Sequence, residues 1–352
     1  MMQYIGEGIH AVEYGKRRYF ARFNPSALGD DGTGTFQAWL SDSGVDASLT
    51  GLNKRNVPAS TRHVSVPSVS PDGKHVLWAV EMATYVPGVP GNSHAKRHGG
   101  TGVYTDLYRS SPDGRNWTQL TTLSSLVNTP YFPNTPAGVL VPHWVDNNTV
   151  IYTEMIGYSQ MHPLTMRRIV VADVAMRNRQ LGLTTTRRFT PCWSQGARFY
   201  ETWDVKNDMV LLCSDFGRSS QMTPGVFLWQ IGSDELMPLS TSAPNEWEEQ
   251  AFFVGERVFY MSTFGQRVQY DPRRFWETLQ TDLWVMDMDG THRERVTFLN
   301  EPGHAHYIDR QPGETVRCLP VSKSKHGLYL DIVRNLGSVQ AHEAAQMWHL
   351  CI

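Results

Sequence analysis

Two histidines and a glutamate share a short segment that could bind a metal ion. They are Glu301, His304 and His306 in the stretch EPGHAHY, and Tyr307 follows them directly. Two imidazoles two residues apart on an extended segment point to the same side, and a carboxylate three residues upstream can join them. This interpretation predicts a divalent-metal site and makes His304 and Tyr307 candidate catalytic groups. The alternative is a turn in which the histidines serve as caps or stacked side chains.

Two further segments carry basic and aromatic side chains. The stretch PGVPGNSHAKRHGGTG places Arg97 between glycines, which fits either a cationic flap over an acidic ligand or a solvated loop. Downstream, Arg274 and Trp276 offer a guanidinium and an aromatic face, which suit sugar rings, carboxylates or a protein partner. A loop packed on its own small core is the alternative for this second segment.

Composition and missing motifs exclude several classes of function. The 352 residues are 40% hydrophobic and 19% charged, and the formal net charge of -2 gives no global field to attract nucleic acid or an anionic membrane. The chain contains no GxSxG elbow, no GxxxxGKS/T phosphate loop, no HExxH and no GxGxxG between strand and helix. No apolar run approaches the roughly 18 residues of a membrane span, and the start lacks a signal peptide. We therefore expect a soluble, cytoplasmic protein, or a periplasmic or secreted one if a signal peptide has been removed.

The cysteines show no metal-binding spacing. They lie far apart in apolar segments without a CxxC pair, at Cys192, Cys213, Cys318 and Cys351. This context favours buried, reduced thiols over a disulfide or a zinc cluster.

An internal repeat indicates which elements position the candidate residues. Ser68–Met82, Tyr108–Leu123 and Asp282–Phe298 each contain an apolar run, a turn with Asp-Gly and a second run, which is the pattern of a β-hairpin. Extending the pattern gives units of four strands, predicted at residues 9–55, 62–123, 138–188, 191–242, 248–298 and 315–352. The last unit lacks one strand, which residues 2–5 can supply, and this closes a ring. We therefore predict an all-β fold, a six-bladed β-propeller of four-stranded antiparallel blades in a single domain over 1–352, with five or seven blades as alternatives.

Three segments carry a family resemblance. SPDGKHVLWA, SPDGRNWTQLT and DLWVMDMDGTHRERVTFLNEPGH resemble the WD40-like repeats of TolB-type β-propeller proteins, whereas other units have VDNN, SQGA or SKSK in place of SPDG. The resemblance implies a propeller and says little about activity, because that family includes periplasmic interaction proteins, peptidase domains and carbohydrate-active lyases. The segment from Glu301 to His306 is also similar to the Gln-x-x-His-x-His metal-binding stretch of propeller oligogalacturonate lyases, with Glu301 in the Gln position.

The predicted propeller gathers a second group of candidate ligands. Innermost strands begin at the mouth of the central channel, so residues about five positions before each first-strand turn should project together there. The count selects His10, Ser68, His143, Glu201 or Thr202, Gln250, and Arg317 or Cys318. His10, His143 and Glu201 are ligand types that a divalent metal accepts, and His143 could also act as a general base. Gln250 and Arg317 could bind a ligand directly, and the alternative is a water-filled channel lined by hydrogen-bonded polar residues.

Two functions follow from these patterns. Long second-to-third-strand loops on one face indicate a binding face, unless they are merely tolerated insertions. The first hypothesis is a non-catalytic propeller that holds a protein partner or a small acidic ligand there, without a cofactor. The second is a lyase or hydrolase acting on a uronate-type saccharide, in which a His or Tyr removes the proton α to the carboxylate while an Arg or one Mn, Ca or Zn ion neutralises that carboxylate. The sequence does not define the oligomeric state.

Overall fold

Antiparallel β-strands make up nearly all of the regular structure. The computed structural model describes residues 2–7, 9–24, 35–49, 61–82, 104–126, 137–158, 165–177, 180–189, 199–217, 223–240, 245–271, 274–336 and 346–352. Within these ranges lie 24 strands, a 3-10 helix at Leu123–Leu126 and one helical turn, α1, at Phe275–Thr278. The chain divides into two compact units, Ala11–Thr190 and Met1–His10 with Pro191–Ile352.

The unit Ala11–Thr190 contains three blades, apart from the first two residues of β2. Blade 1 consists of β2 (Ile9–Tyr14), β3 (Arg17–Asn24), β4 (Thr35–Asp42) and β5 (Val45–Ser48). Blade 2 consists of β6 (Thr61–Val69), β7 (Val76–Met82), β8 (Thr105–Ser110) and β9 (Trp117–Gln119). Blade 3 consists of β10 (Gly138–Trp144), β11 (Thr149–Tyr158), β12 (Thr165–Arg177) and β13 (Gln180–Phe189).

Apolar side chains between the faces of these blades form the core of this unit. One cluster joins Tyr19 of blade 1 to Trp78 and Trp117 of blade 2. A second cluster joins Leu107 of blade 2 to Tyr152 of blade 3. Complete burial of a large apolar side chain contributes about 1.5–3 kcal/mol, so the alternating apolar positions of the strands hold neighbouring blades face to face.

The other unit contains blades 4 to 6. Blade 4 consists of β14 (Tyr200–Lys206), β15 (Met209–Ser214), β16 (Gly225–Gln230) and β17 (Leu236–Pro238). Blade 5 consists of β18 (Glu248–Val254), β19 (Arg257–Ser262), β20 (Asp282–Asp287) and β21 (Glu294–Arg295). Blade 6 consists of β22 (Glu314–Ser324), β23 (Gly327–Leu336), β24 (Gln346–Cys351) and β1 (Met2–Glu7). The first strand of the chain is thus the outer strand of the last blade.

The Ser-Pro-Asp-Gly turns share one hydrogen-bond pattern. In the turn between β6 and β7, the Ser70 hydroxyl donates to Asp72 Oδ1 at 2.7 Å, and the same oxygen accepts the Lys74 N–H at 3.1 Å. Gly73 completes the turn with a φ of 70°, a conformation that glycine adopts without a steric cost. These bonds hold the pKa of Asp72 at about 2. The repeat motif therefore encodes a tight turn.

The fold predicted from the sequence is confirmed. The protein is all-β, with six blades of four antiparallel strands rather than five or seven, and residues 2–7 provide the closing strand. That the six blades form a single domain stays a prediction. Cys213 and Cys318 are buried thiols as expected, but Cys351 is exposed because it ends β24 at the margin of the sheet, so the prediction was wrong there. Cys192 lies outside the described residues.

Candidate functional site

Polar side chains gather at the beginnings of the inner strands of blades 4, 5 and 6. Glu201 on β14, Glu249 and Gln250 on β18, and Arg317 on β22 are each 6–9% exposed. Cys213 links the first two strands, because it pairs with Glu201 in the register and its thiol interacts with the backbone at Gln250. We call Glu201, Glu249, Gln250 and Arg317 the inner-strand cluster.

A β-bulge places Gln250 within this cluster. The pairing of β18 with β19 shifts between Glu249 and Phe252, and Gln250 has a φ of 53°. A bulge adds a residue to one strand and redirects its side chain, and bulges are frequent beside functional sites. The Gln250 Oε1 atom has no hydrogen-bond partner among the described residues although it is buried. A buried amide oxygen normally has a partner, so this atom can accept a hydrogen bond from a bound molecule.

Aromatic residues fix the position of Glu249. The Trp247 indole donates its Nε1–H to Glu249 Oε2 at 2.9 Å. The Trp247 ring meets the Tyr270 ring edge to face, with 6.0 Å between ring centroids. Burial raises the pKa of Tyr270, and the Glu249 charge raises it further, so this phenol stays protonated at neutral pH. The Glu249 carboxylate is therefore held by the Trp247 indole, which in turn packs against the Tyr270 ring.

Arg317 brings a buried positive charge to the same place. Burial lowers the pKa of its guanidinium to about 10, and the Glu249 carboxylate acts in the opposite direction. A guanidinium with that pKa remains charged at neutral pH. Because it has five N–H donors in a planar fork, it can bind Glu249 and a ligand carboxylate at the same time.

The cluster therefore combines one guanidinium with three acceptor side chains. A ligand carboxylate would suit Arg317, while ligand hydroxyls would donate to Glu201, Glu249 and Gln250. All four residues sit in strands, and such elements hold side chains more rigidly than loops do.

The other residues predicted for the channel mouth divide between the two units. His10 lies in the same unit as the cluster, and its backbone N–H donates to Asp331 Oδ2 at 2.9 Å. Burial lowers the pKa of its imidazole to about 4, so the ring is neutral at pH 7. Ser68 and His143 belong to the unit Ala11–Thr190, where the Ser68 carbonyl accepts the Trp144 indole N–H at 3.1 Å.

The segment after Glu301 forms a turn. His304 stacks on Phe298 with 4.1 Å between ring centroids and 10° between planes, and it is exposed on its other side. The nearest Glu301 oxygen lies 3.9 Å from His304 Nε2, while the other Glu301 oxygen accepts from Arg295 Nη1 at 3.1 Å. His306 and Tyr307 follow within the same irregular segment, half-buried. For His304, the stacked arrangement is the alternative that the sequence left open.

The loop candidates are described only in part. Arg97 lies outside the described residues, and so does the Trp276 side chain, although its backbone belongs to α1. Arg274 is exposed and pairs with Glu277 at 2.6 Å. The Thr278 hydroxyl bonds to the backbone carbonyl of Asp271 at 3.1 Å, which ties this loop to itself.

Sequence reasoning placed Glu201, Gln250 and Arg317 together but missed Glu249 and Trp247. The missing signal was the bulge, because simple alternation along β18 puts only one of the two neighbours Glu249 and Gln250 on the inner side. The motif Trp247-Glu248-Glu249 gave no sequence-level indication of the indole-to-carboxylate bond.

No metal site is apparent in the described part of the chain. Within it, no group of three or more His, Cys, Asp or Glu side chains is arranged to hold an ion. The proposed ligands His10, His143, Glu201, His304 and His306 therefore do not form a gathered set there, and a metal cofactor stays a prediction. Among the same residues, no helix is long and apolar enough to cross a membrane.

Comparisons with known proteins return only structural matches. No family model and no curated protein matches the chain. TolB from Acinetobacter baumannii is 12% identical, covering 96% of this chain and 64% of that one, with a TM-score of 0.46. The β-propeller domain of the Trilobed protease from Pyrococcus furiosus is 6% identical, covering 99% and 94%, with a TM-score of 0.46. Oligogalacturonate lyase from Vibrio parahaemolyticus is 11% identical, covering 97% and 77%, with a TM-score of 0.42.

The propeller fold that the TolB-type resemblance implies is confirmed by the six four-stranded blades of the structure itself. At such identities and TM-scores the matches carry no argument about activity, substrate or partner. The chain also spans less than two thirds of the length of that TolB.

Proposed function

We propose that this protein is a non-catalytic binding propeller that holds a small hydroxylated acid, such as a uronate-containing saccharide, at the inner-strand cluster. The observation that supports the proposal is the buried group of Arg317, Glu201, Glu249 and Gln250 on three neighbouring inner strands. Burying charged and polar groups costs free energy, so a cluster of this kind is better explained by a ligand than by stability alone.

The protonation states of His10 and Tyr270 favour binding over turnover by these two groups. A lyase on a uronate requires a base that accepts a proton near neutral pH. Burial lowers the pKa of His10 to about 4, which makes it a weak base, and it raises the pKa of Tyr270 above its usual range. His304 and Tyr307, the other base candidates of this unit, belong to the Glu301 turn, and His143 belongs to the other unit.

The test is calorimetric titration with trigalacturonate and with its uncharged galactose counterpart. We expect the acidic trisaccharide to bind and the neutral one to bind at least about tenfold more weakly, because the Arg317 pairing is lost. Gln250→Met should weaken trigalacturonate binding by about tenfold, since Met fills the same volume without an acceptor. The fold should tolerate this change, because Gln250 Oε1 has no described partner to lose.

Gln280→Met is the matched control. Gln280 is also buried, with an Oε1 that lacks a described partner, but it lies outside the inner-strand cluster. It should leave affinity unchanged. Failure of trigalacturonate to bind, or an equal loss in both variants, would contradict the proposal. Release of an unsaturated uronate, seen as new ultraviolet absorbance, would instead assign lyase activity.

A further inference from the structure

The outer strand of blade 3 differs in length from the outer strands of the other blades. β13 has ten residues, whereas β5 has four, β9 and β17 have three, β21 has two and β1 has six. Short outer strands are a common protection against unwanted pairing, because an edge strand exposes unpaired N–H and C=O groups. Blade 3 lacks this protection, and β13 is the last strand of its sheet among the described residues.

β13 is held firmly as an edge. It pairs with β12 from Gln180 opposite Arg177 to Phe189 opposite Ile169. Leu181 and Leu183 pack against the apolar cluster between blades 2 and 3, so the strand is anchored by its inward side chains. The register shifts at Thr186, whose hydroxyl donates to the Val171 carbonyl at 3.0 Å. The stretch from Gln180 to Thr185 is therefore regular, and no strand among the described residues pairs with its outer edge.

The hairpin formed by β12 and β13 is strongly basic. Residues 165–189 contain six arginines and one aspartate, a formal charge of +5 in a chain whose total is -2. Arg168 is neutralised by Glu154 in β11, and Arg167 is buried. Arg188 is exposed near the end of β13, beside the half-buried Arg187. The edge thus carries a positive potential that would attract an acidic segment.

We propose that β13 is a docking edge for an extended acidic segment of a partner protein, which adds to blade 3 as a fifth strand. In this mode main-chain hydrogen bonds provide affinity, and the side chains of the added strand provide selectivity. The exposed guanidinium of Arg188 pairs with a carboxylate of the added strand. A second copy of this chain is a poorer occupant, because two segments of charge +5 would repel each other. This site is independent of the inner-strand cluster.

The experiment is fluorescence anisotropy of a labelled peptide of alternating Glu and Val added to the full chain. The peptide should bind, and methylation of alternate backbone nitrogens along one of its edges should abolish binding, because it removes strand pairing while keeping the charge. The variant Arg188→Glu should weaken binding by about tenfold or more. Lys325→Glu is the control, because it also reverses the charge of one exposed basic residue but lies in the turn before β23. It should leave affinity unchanged.

Four results would overturn the proposal. Equal binding of the methylated peptide would show a charge-only site, and tighter binding of a single-stranded oligonucleotide would point to nucleic acid. Unchanged affinity in the arginine variant, with its thermal melt intact, would place the peptide elsewhere. Sedimentation of the free protein as a dimer that the arginine variant dissociates would assign the edge to a second copy.

Discussion

Blades 2 and 5 bury an aspartate at the same place, the beginning of the third strand, and surround it differently. In blade 2, Asp106 accepts from the Thr121 hydroxyl at 2.9 Å, from Gln119 Nε2 at 3.2 Å and from the Ser124 N–H at 3.3 Å. The Ser124 hydroxyl also donates to it. Every one of these donors is neutral, and burial raises the pKa of Asp106.

Blade 5 adds a positive charge to the same arrangement. Asp282 accepts from the Thr297 hydroxyl at 2.7 Å and from the Leu299 N–H at 2.8 Å. It also accepts from Gln266 Nε2 and from Arg295 Nη2, each at 2.7 Å. Arg295 stands two residues before its threonine, as Gln119 does in blade 2. The same backbone position thus supplies a guanidinium in one blade and an amide in the other.

Blade 4 lacks the buried aspartate but keeps the hydrogen bond between the third-strand backbone and a hydroxyl. Gly225 replaces the aspartate, yet the Val226 N–H still donates to the Ser240 hydroxyl at 2.9 Å. Leu107 in blade 2 and Leu283 in blade 5 make the equivalent bond, also at 2.9 Å. In blades 2, 4 and 5, a backbone N–H of the third strand thus donates to a Ser or Thr hydroxyl that follows the fourth strand. In blades 2 and 5, a buried aspartate also accepts from that hydroxyl.

Asp331 in blade 6 is a buried carboxylate with fewer hydrogen-bond donors around it. It is 1% exposed, and its Oδ2 accepts from the His10 N–H. Its Oδ1 has no hydrogen-bond partner among the described residues. Burial raises its pKa to about 8. From blade 5 to blade 2 the buried aspartate keeps four donors but loses the charged one, and in blade 6 one donor remains among the described residues. Burial raises the pKa of the aspartate in blades 2 and 6.

The largest effect is expected from Asp282→Ala. It leaves Arg295 buried without its main partner and removes four hydrogen bonds, so the free energy of unfolding should fall by about 3–5 kcal/mol. Urea denaturation followed by tryptophan fluorescence measures this loss. Asp289→Ala, in the exposed turn of the same blade, is the control and should cost about 1 kcal/mol or less. Equal losses in the two variants would show that the buried carboxylate contributes nothing special.

Asp331→Asn should produce the next largest effect, which grows as pH rises from about 4 to about 8. The folded-state pKa of about 8 lies above the unfolded value of 3.8, so the native state keeps the proton longer and wild-type stability falls as pH rises between these values. The amide oxygen can still accept from His10, and asparagine does not ionise. We expect the variant to match wild type near pH 4 and to exceed it by about 2 kcal/mol or more at pH 9.

Denaturation midpoints across that pH range test this expectation. Asp208→Asn, in an exposed turn of blade 4, should keep the wild-type pH dependence. A pH profile for Asp331→Asn that is parallel to wild type would mean that Asp331 is ionised throughout.

These buried carboxylates show what the sequence can and cannot reveal. The hairpin repeats and the Asp-Gly turns predicted six blades because both depend on local patterns, and the closing strand followed from counting strands. Counting back from the turns also located Gln250 and Arg317. The bulge at Gln250 could not be predicted, because a left-handed backbone at a non-glycine residue leaves no mark in the sequence.

The environment of a charged side chain was equally hidden. Glu301 and His304 have suitable spacing for a metal, but Arg295 takes one carboxylate oxygen and Phe298 takes the imidazole face. Both partners lie within ten residues, yet only the three-dimensional turn decides that they meet. Spacing alone therefore identifies candidate metal ligands, but it does not show which of them already contact other side chains of the protein.

The smallest effect is expected from Gln119→Arg, which gives blade 2 the guanidinium of blade 5. The new charge should favour ionised Asp106, lower its pKa and stabilise the fold by about 1 kcal/mol or less at pH 7, because residue 119 is exposed and solvent screens the pair. At pH 3 Asp106 is protonated in the folded state, so the gain should disappear. Denaturation of Gln119→Arg with and without Asp106→Asn isolates the pair, since a gain that persists without the carboxylate must come from elsewhere. A gain that depends on Asp106 would mean that blades 2 and 5 differ in stability through one residue, with the carboxylate itself accepting from the equivalent threonine hydroxyl in both.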